Sequence, residues 1–122
     1  MEMNSINLAV RFLLEVVALI SMGMWSYKHN DGWLAIALAI AVPLIAAGVW
    51  GVFNVLDDPS RSGAAPVEVA GWVRLLIEFT VFSLAAAALY NIGYTKISIL
   101  FVVAVTIHYL VSYERIMWLL AR

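Results

Sequence analysis

Four apolar runs, each close to the roughly 20 helical residues needed to cross a hydrocarbon core about 30 Å thick, constrain this chain more than anything else in it. They cover approximately Leu8 to Tyr27, Trp33 to Phe53, Val69 to Leu89 and Ile97 to Leu120. Backbone N–H and C=O groups find no water in lipid and must pair within their own segment, so such runs are helices and not the alternating strands of a barrel. A soluble helix bundle would need a polar outer face on every helix. At 65% hydrophobic and 12% charged over 122 residues, against about half and a quarter in soluble proteins, the chain cannot build those faces. The expected fold is all-α, a four-helix transmembrane bundle in a single domain spanning residues 1–122.

The connections divide this bundle into two helical hairpins. Lys28 to Gly32 and Tyr90 to Lys96 are short enough to force antiparallel neighbours. The middle connection, Asn54 to Glu68, is longer and rich in turn formers, with Asp57-Asp58-Pro59-Ser60-Arg61-Ser62-Gly63 and Pro66. It is expected to be a plain linker in preference to a surface loop that contacts a partner. The N-terminus has Glu2 where a removable signal would have a basic region, and no small-x-small cleavage pattern follows its apolar run, so it is expected to be a retained first helix.

Basic residues near the helix ends set the orientation. Arg11, Arg61, Arg74, Arg115 and Arg122 fall on the side shared by both termini and the middle loop, against Lys28 and Lys96 on the other. This bias predicts both termini in the cytoplasm. Trp25, Trp33 and Tyr94 would mark one boundary and Trp50, Trp72 and Trp118 the other, as anchors with no further role.

Charges inside such runs are costly and call for an explanation. Arg11-Phe12-Leu13-Leu14-Glu15 and Arg74-Leu75-Leu76-Ile77-Glu78 each hold an arginine and a glutamate four residues apart. Laying Arg11 on Arg74 also superposes Val10, Leu13, Glu15 and Tyr27 on Val73, Leu76, Glu78 and Tyr90, which predicts a parallel repeat of the hairpin about a pseudo-two-fold axis. An acid preceding a base is the better order for an i,i+4 pair, and here the base comes first. Crossed pairs, Arg11 with Glu78 and Arg74 with Glu15, are therefore expected beside the pairs within each helix. The fourth run adds His108, Ser112 and Arg115 on one face, with Thr106, Tyr109 and Tyr113 close by and Glu114 placed to extend the cluster. One hydrogen bond to a neighbouring helix would satisfy His108. In the second run Pro43 frees the carbonyl of Ala39, and Ala47-xxx-Gly51 offers a small-residue face for packing.

Arg11, Glu15, Arg74, Glu78, His108, Ser112 and Arg115 are thus the candidates for a small-molecule, ion or proton site. The competing explanation is that these charges only hold the helices together in a structural or accessory subunit. Enzyme signatures and metal-ligand spacings are missing, so neither catalytic residues nor a metal or other cofactor is expected. A net charge of −1 gives nucleic acid no basic surface. The partners to expect are the lipid bilayer, a small ligand at the charged cluster, and a second copy or another membrane protein.

Asn7-Leu8-Ala9 leading into Arg11-Phe12-Leu13-Leu14-Glu15, Pro43, Trp50-Gly51-x-Phe53, and Arg74-x-x-x-Glu78 with Ala88-Leu89-Tyr90 resemble the YrdB-like family of small bacterial membrane proteins. That resemblance implies a bacterial inner membrane and, the family being of unknown function, carries no catalytic residues with it. In size and in its first-helix glutamate the chain also resembles the small multidrug-resistance transporters. Arg11 departs from that pattern and would hold Glu15 ionised and occupied.

The chain contains no cysteine, which makes its topology directly testable. Single cysteines at Ser62 and Asn30 should react with a membrane-impermeant maleimide from opposite sides of the membrane. Labelling of position 62 from the periplasm would reverse the orientation.

Overall fold

A computed structural model describes residues 3–60 and 64–122. Glu2, Arg61, Ser62 and Gly63, which entered the reading of the N-terminus, the charge bias and the middle loop, lie outside the described residues. The elements are α1 (Ser5–Lys28), α2 (Gly32–Val52), β1 (Phe53–Asn54), β2 (Val67–Glu68), α3 (Gly71–Asn91), α4 (Thr95–Val111) and α5 (Tyr113–Leu120). α1, α2 and α3 are each long and apolar enough to cross a membrane, and α4 with α5 makes a fourth span if the bent pair counts as one.

Local sequence explains where the helices begin and end. Asn4 caps α1, its side-chain oxygen accepting from the Ile6 N–H at 2.8 Å. α3 stops at Gly93, whose φ of +95° suits only glycine without strain. The turn is closed by the Tyr94 N–H reaching back to the Leu89 carbonyl at 2.9 Å.

α3 is the central helix. It packs against α1 on one side and against α4 and α5 on the other, while α2 lies mainly against α1. Burial follows this order: α3 buries residues along its whole length, from Gly71 to Leu89. α2 buries only Ala35 and Trp50. An apolar helix exposed on nearly all sides is stable only where lipid is its solvent. Contacts fix the directions. Arg11 meets Glu78 and Trp25 meets Asn91, so α1 and α3 run the same way. Ser98 bonds to the Ala86 carbonyl and Tyr109 to Glu78, so α3 and α4 are antiparallel. The two hairpins thus have the common direction that a parallel repeat requires, although their side chains are used differently.

Two close helix contacts depend on glycine. A Cβ on Gly23 would come within 2.9 Å of the Ala39 carbonyl oxygen and 3.2 Å of Pro43 Cγ. Pro43 releases that carbonyl from its helix, and Gly23 lets α1 close over it. A Cβ on Gly71 would run into the backbone of Leu119, so α5 crosses the very start of α3. The expected packing face at Ala47-xxx-Gly51 is not used in this way. Nothing lies within 4 Å of a Cβ built on Gly51, because it borders an open cleft between α2, α1 and the loop.

The fourth run differs most from expectation. It breaks at Ser112, and α5 bends away from α4 by 69°. The Ser112 N–H still bonds to the His108 carbonyl, but its own carbonyl accepts from Arg115 and Ile116 and so starts a new helix. Its hydroxyl is held by Asn7 Nδ2 of α1 at 2.7 Å. Beyond the bend the Arg115 guanidinium faces inward to two carboxylates, Asp58 and Glu78.

The middle connection is likewise more than a linker. β1 and β2 pair in parallel, Phe53 with Val67 and Asn54 with Glu68, and close the loop at its base. Within it Asp57 adopts a φ of +65° and Asp58 turns into the bundle, where it is buried.

Gly71→Ala should destabilise the protein by about 1–3 kcal/mol through overpacking, whereas Gly48→Ala, facing open space, should be neutral or stabilise by up to about 1 kcal/mol. Thermal melting in one detergent compares them; equal melting temperatures would mean that α5 does not press on α3.

Candidate functional site

Glu78 lies on the face of α3 turned toward both α1 and α4, and its side chain is fully buried. A lone carboxylate there would be prohibitively desolvated. Its oxygens are instead surrounded by polar and cationic groups from four helices. Oε2 accepts from Arg74 Nε at 2.8 Å and Arg115 Nη2 at 2.7 Å. Oε1 accepts from the Tyr109 hydroxyl at 2.6 Å and Arg115 Nη1 at 2.9 Å. Arg11 Nη2 forms an ion pair with Oε1 at 2.8 Å, close in distance though off the hydrogen-bonding direction.

Each arginine has a second attachment. Arg11 Nε reaches Glu15 of its own helix at 3.3 Å, and its Nη1 reaches the Tyr109 hydroxyl at 3.4 Å. Arg74 Nη1 donates to the carbonyls of Trp50 and Phe53, satisfying the end of α2. The Asn54 side chain does the same for the Gly51 carbonyl at 2.6 Å. Arg115 grips Asp58 with two parallel bonds, Nε to Oδ1 at 2.9 Å and Nη2 to Oδ2 at 2.7 Å. Three cations therefore face Glu78, Asp58 and Glu15, and the charges balance.

Trp50 is part of this assembly, contrary to its expected role as a plain interfacial anchor. It is buried, and its Nε1–H donates to Glu15 Oε1 at 2.7 Å. Its ring lies between two guanidiniums, 5.2 Å from Arg11 and 5.1 Å from Arg74. In a desolvated setting such contacts strengthen.

Of the seven candidate residues the structure brings five together, Arg11, Glu15, Arg74, Glu78 and Arg115, while among the described residues Ser112 and His108 make no bond to the charged groups. Of the crossed pairs, Arg11 with Glu78 forms. Arg74 stays with Glu78 on its own helix, and its Nη1 turns to the carbonyls at the end of α2 instead of to Glu15. Ser112 marks the break and holds Asn7. His108 is buried against Tyr109, yet neither ring nitrogen has a hydrogen-bond partner among the described residues, so the expected bond to a neighbouring helix is not made. Glu114 is exposed on the outer side of α5, and Thr106 bonds back to Val102 of its own helix. Neither extends the cluster. Sequence reasoning missed Asp58 and Asn54, and gave Tyr109 no specific role.

Asp58, in the loop outside the spans, has its carboxyl pKa raised by burial but lowered more by Arg115, through hydrogen bonds and charge, with help from the Ser60 bonds. The net effect holds it below the ordinary aspartate value.

Beside this cluster a cleft of about 580 Å³ opens between α1, the end of α2 and the loop. Arg11, Glu15, Asn54 and Ser60 supply its polar lining. Glu15 is the one carboxylate of the cluster with some exposure, its side chain 16% accessible.

A family model described as a protein of unknown function, DUF2568, matches residues 9–106. The uncharacterized protein YrdB of Bacillus subtilis (strain 168) is 42% identical over 119 residues, which is 98% of this chain and 97% of that protein. No solved structure matches. Arg11, Glu15, Asp58, Arg74 and Glu78 fall inside the family match, and His108, Ser112 and Arg115 lie beyond its end.

Because the folded-state pKa of Asp58 is depressed, its stabilisation is fully present above the unfolded value of about 3.9 and is lost as pH falls through the folded value. Asp58→Asn should cost about 3 kcal/mol at neutral pH, the low end for breaking a buried pair, since Arg115 keeps Glu78. Unfolding followed from about pH 6 down to about pH 3 should show the gap between parent and variant narrowing in acid. A constant gap would detach Asp58 ionisation from stability.

Proposed function

We propose, for a chain that belongs to the DUF2568 family of proteins of unknown function, a structural or accessory role in the membrane, with the Arg/Glu/Asp cluster acting as a lock between helices. The observation that carries this reading is the state of Glu78: fully buried and bound by Arg11, Arg74, Arg115 and Tyr109. A transport carboxylate must exchange its partner for a substrate or proton and be reachable to do so. Glu78 has three cations in place and is sealed from every side. Its spanning helices and its bacterial relative support a multi-pass protein of a bacterial inner membrane, with both termini and the middle loop cytoplasmic on the bias of basic residues.

A second reading, a small-molecule binding or transport protein, is favoured by one feature, the polar cleft beside Arg11 and Glu15. Among the described residues, Arg11 and Glu15 are the charged groups that line it. Glu78 would then be the foundation of the site and not the site itself.

The two readings separate in one set of measurements. For a lock, Glu78→Gln should lose about 3–5 kcal/mol, and its effect should couple to that of Arg11→Met by more than about 0.5 kcal/mol in a double-mutant cycle. Reconstituted parent protein should move no protons and gain no thermal stability from a panel of lipophilic cations. Proton movement or ligand stabilisation that Glu15→Gln abolishes, with melting unchanged, would overturn the lock as the function and leave the second reading.

A further inference from the structure

We propose that α5 is an interfacial helix, whose outward stripe of Tyr113, Met117 and Leu120 lies in the headgroup and acyl boundary of the bilayer on the middle-loop side. Its amphipathicity is inverted: Arg115 and Leu119 turn into the protein and are buried, while Tyr113, Met117 and Leu120 are 57%, 65% and 63% exposed. At 3.6 residues per turn these three fall on one line along the helix. A stripe of this kind facing water would be unfavourable, and lipid removes the cost.

The position of α5 identifies lipid as the occupant. α4 has 17 residues, a rise of about 25 Å, which brings its end close to the far boundary of a core about 30 Å thick. The 69° bend then directs α5 away from the span axis. Since spans tilt by about 20° on average, the axis of α5 lies nearer to the membrane plane than to its normal. Leu119 sits on Gly71, the first residue of α3, so the far end of α5 is again level with a helix terminus.

The two flanks of α5 have opposite character, as an in-plane helix requires. On one flank Ile116 joins Phe79, Phe101 and Val102 in an apolar groove of about 400 Å³ between α3 and α4. On the other are the exposed Glu114 and the half-buried Trp118, with the Arg122 guanidinium 4.5 Å from the Trp118 ring. An aromatic ring paired with a cation is typical of the interfacial belt. Arg115 pins the helix in place through Asp58 and Glu78, which leaves the outer stripe for the bilayer.

The chain has no cysteine, so single nitroxide labels can be placed at 113, 114, 117 and 120, with one at Leu44 in α2 as a mid-bilayer reference. The full chain, reconstituted in vesicles of phosphatidylcholine and phosphatidylglycerol, is read by power saturation with oxygen and with a water-soluble nickel chelate. Labels at 113, 117 and 120 should share one shallow depth, with an oxygen-to-nickel ratio several-fold above that at 114. Steadily changing depth from 113 to 120 would make α5 a continuation of the span and overturn the proposal. So would free nickel access along the stripe, meaning exposure to water, or low access to both reagents, meaning a protein partner over it. A melting curve for each labelled variant confirms that the bundle is folded when it is read.

Discussion

Keeping one carboxylate ionised in the interior of a lipid-embedded bundle sets most of the architecture. Desolvating an ion costs several kcal/mol even after relaxation, and a single opposite charge rarely repays it without further hydrogen bonds. Glu78 meets this condition with three arginines and a tyrosine. Three cations around one anion would themselves repel, so each needs a second acceptor. Those acceptors are found in three different places: Glu15 on α1, the carbonyls ending α2, and Asp58 in the loop.

Two irregular features of the chain contribute to that arrangement. The middle connection returns on itself, closed by the pairing of Phe53 with Val67 and Asn54 with Glu68, and so carries Asp58 back to Arg115. α4 bends at Ser112, and just beyond the bend Arg115 meets two buried carboxylates, Asp58 and Glu78. The hinge itself is tied to α1 by Asn7. Loop, hinge and helix end are therefore parts of one electrostatic arrangement, and a change at any one of them reaches the others through Arg115 or Arg74.

Much of this was legible in the sequence because charge in lipid is rare and expensive. Arg11, Glu15, Arg74 and Glu78 stood out on that ground, and so did Arg115. The apolar runs placed α1, α2 and α3 within a few residues. Asp58 did not stand out, since an aspartate in a turn-rich loop is ordinarily solvated and its burial depends on where the loop folds back. The break at Ser112 left no local signal either: no glycine or proline interrupts the run. Trp50 looked like an interfacial anchor because its place near a helix end fits that role, while its actual partners, Glu15, Arg11 and Arg74, come from two other helices.

The two Arg-x-x-x-Glu pentads start alike and end in different chemical states, and the difference comes from their neighbours. Beside Glu15, α2 contributes the Trp50 indole, a single neutral donor. Beside Glu78, α4 and α5 contribute the Tyr109 hydroxyl and the Arg115 guanidinium. Arg11 then makes its shorter contact across helices, 2.8 Å to Glu78 against 3.3 Å to Glu15. One glutamate is thus fully enclosed, while the other stays at the edge of the cleft with its side chain 16% accessible. Two pentads with the same Arg-x-x-x-Glu spacing differ in structure according to the helix each is packed against. That inequality gives the bundle a sealed ionic centre and a single partly exposed acid beside it.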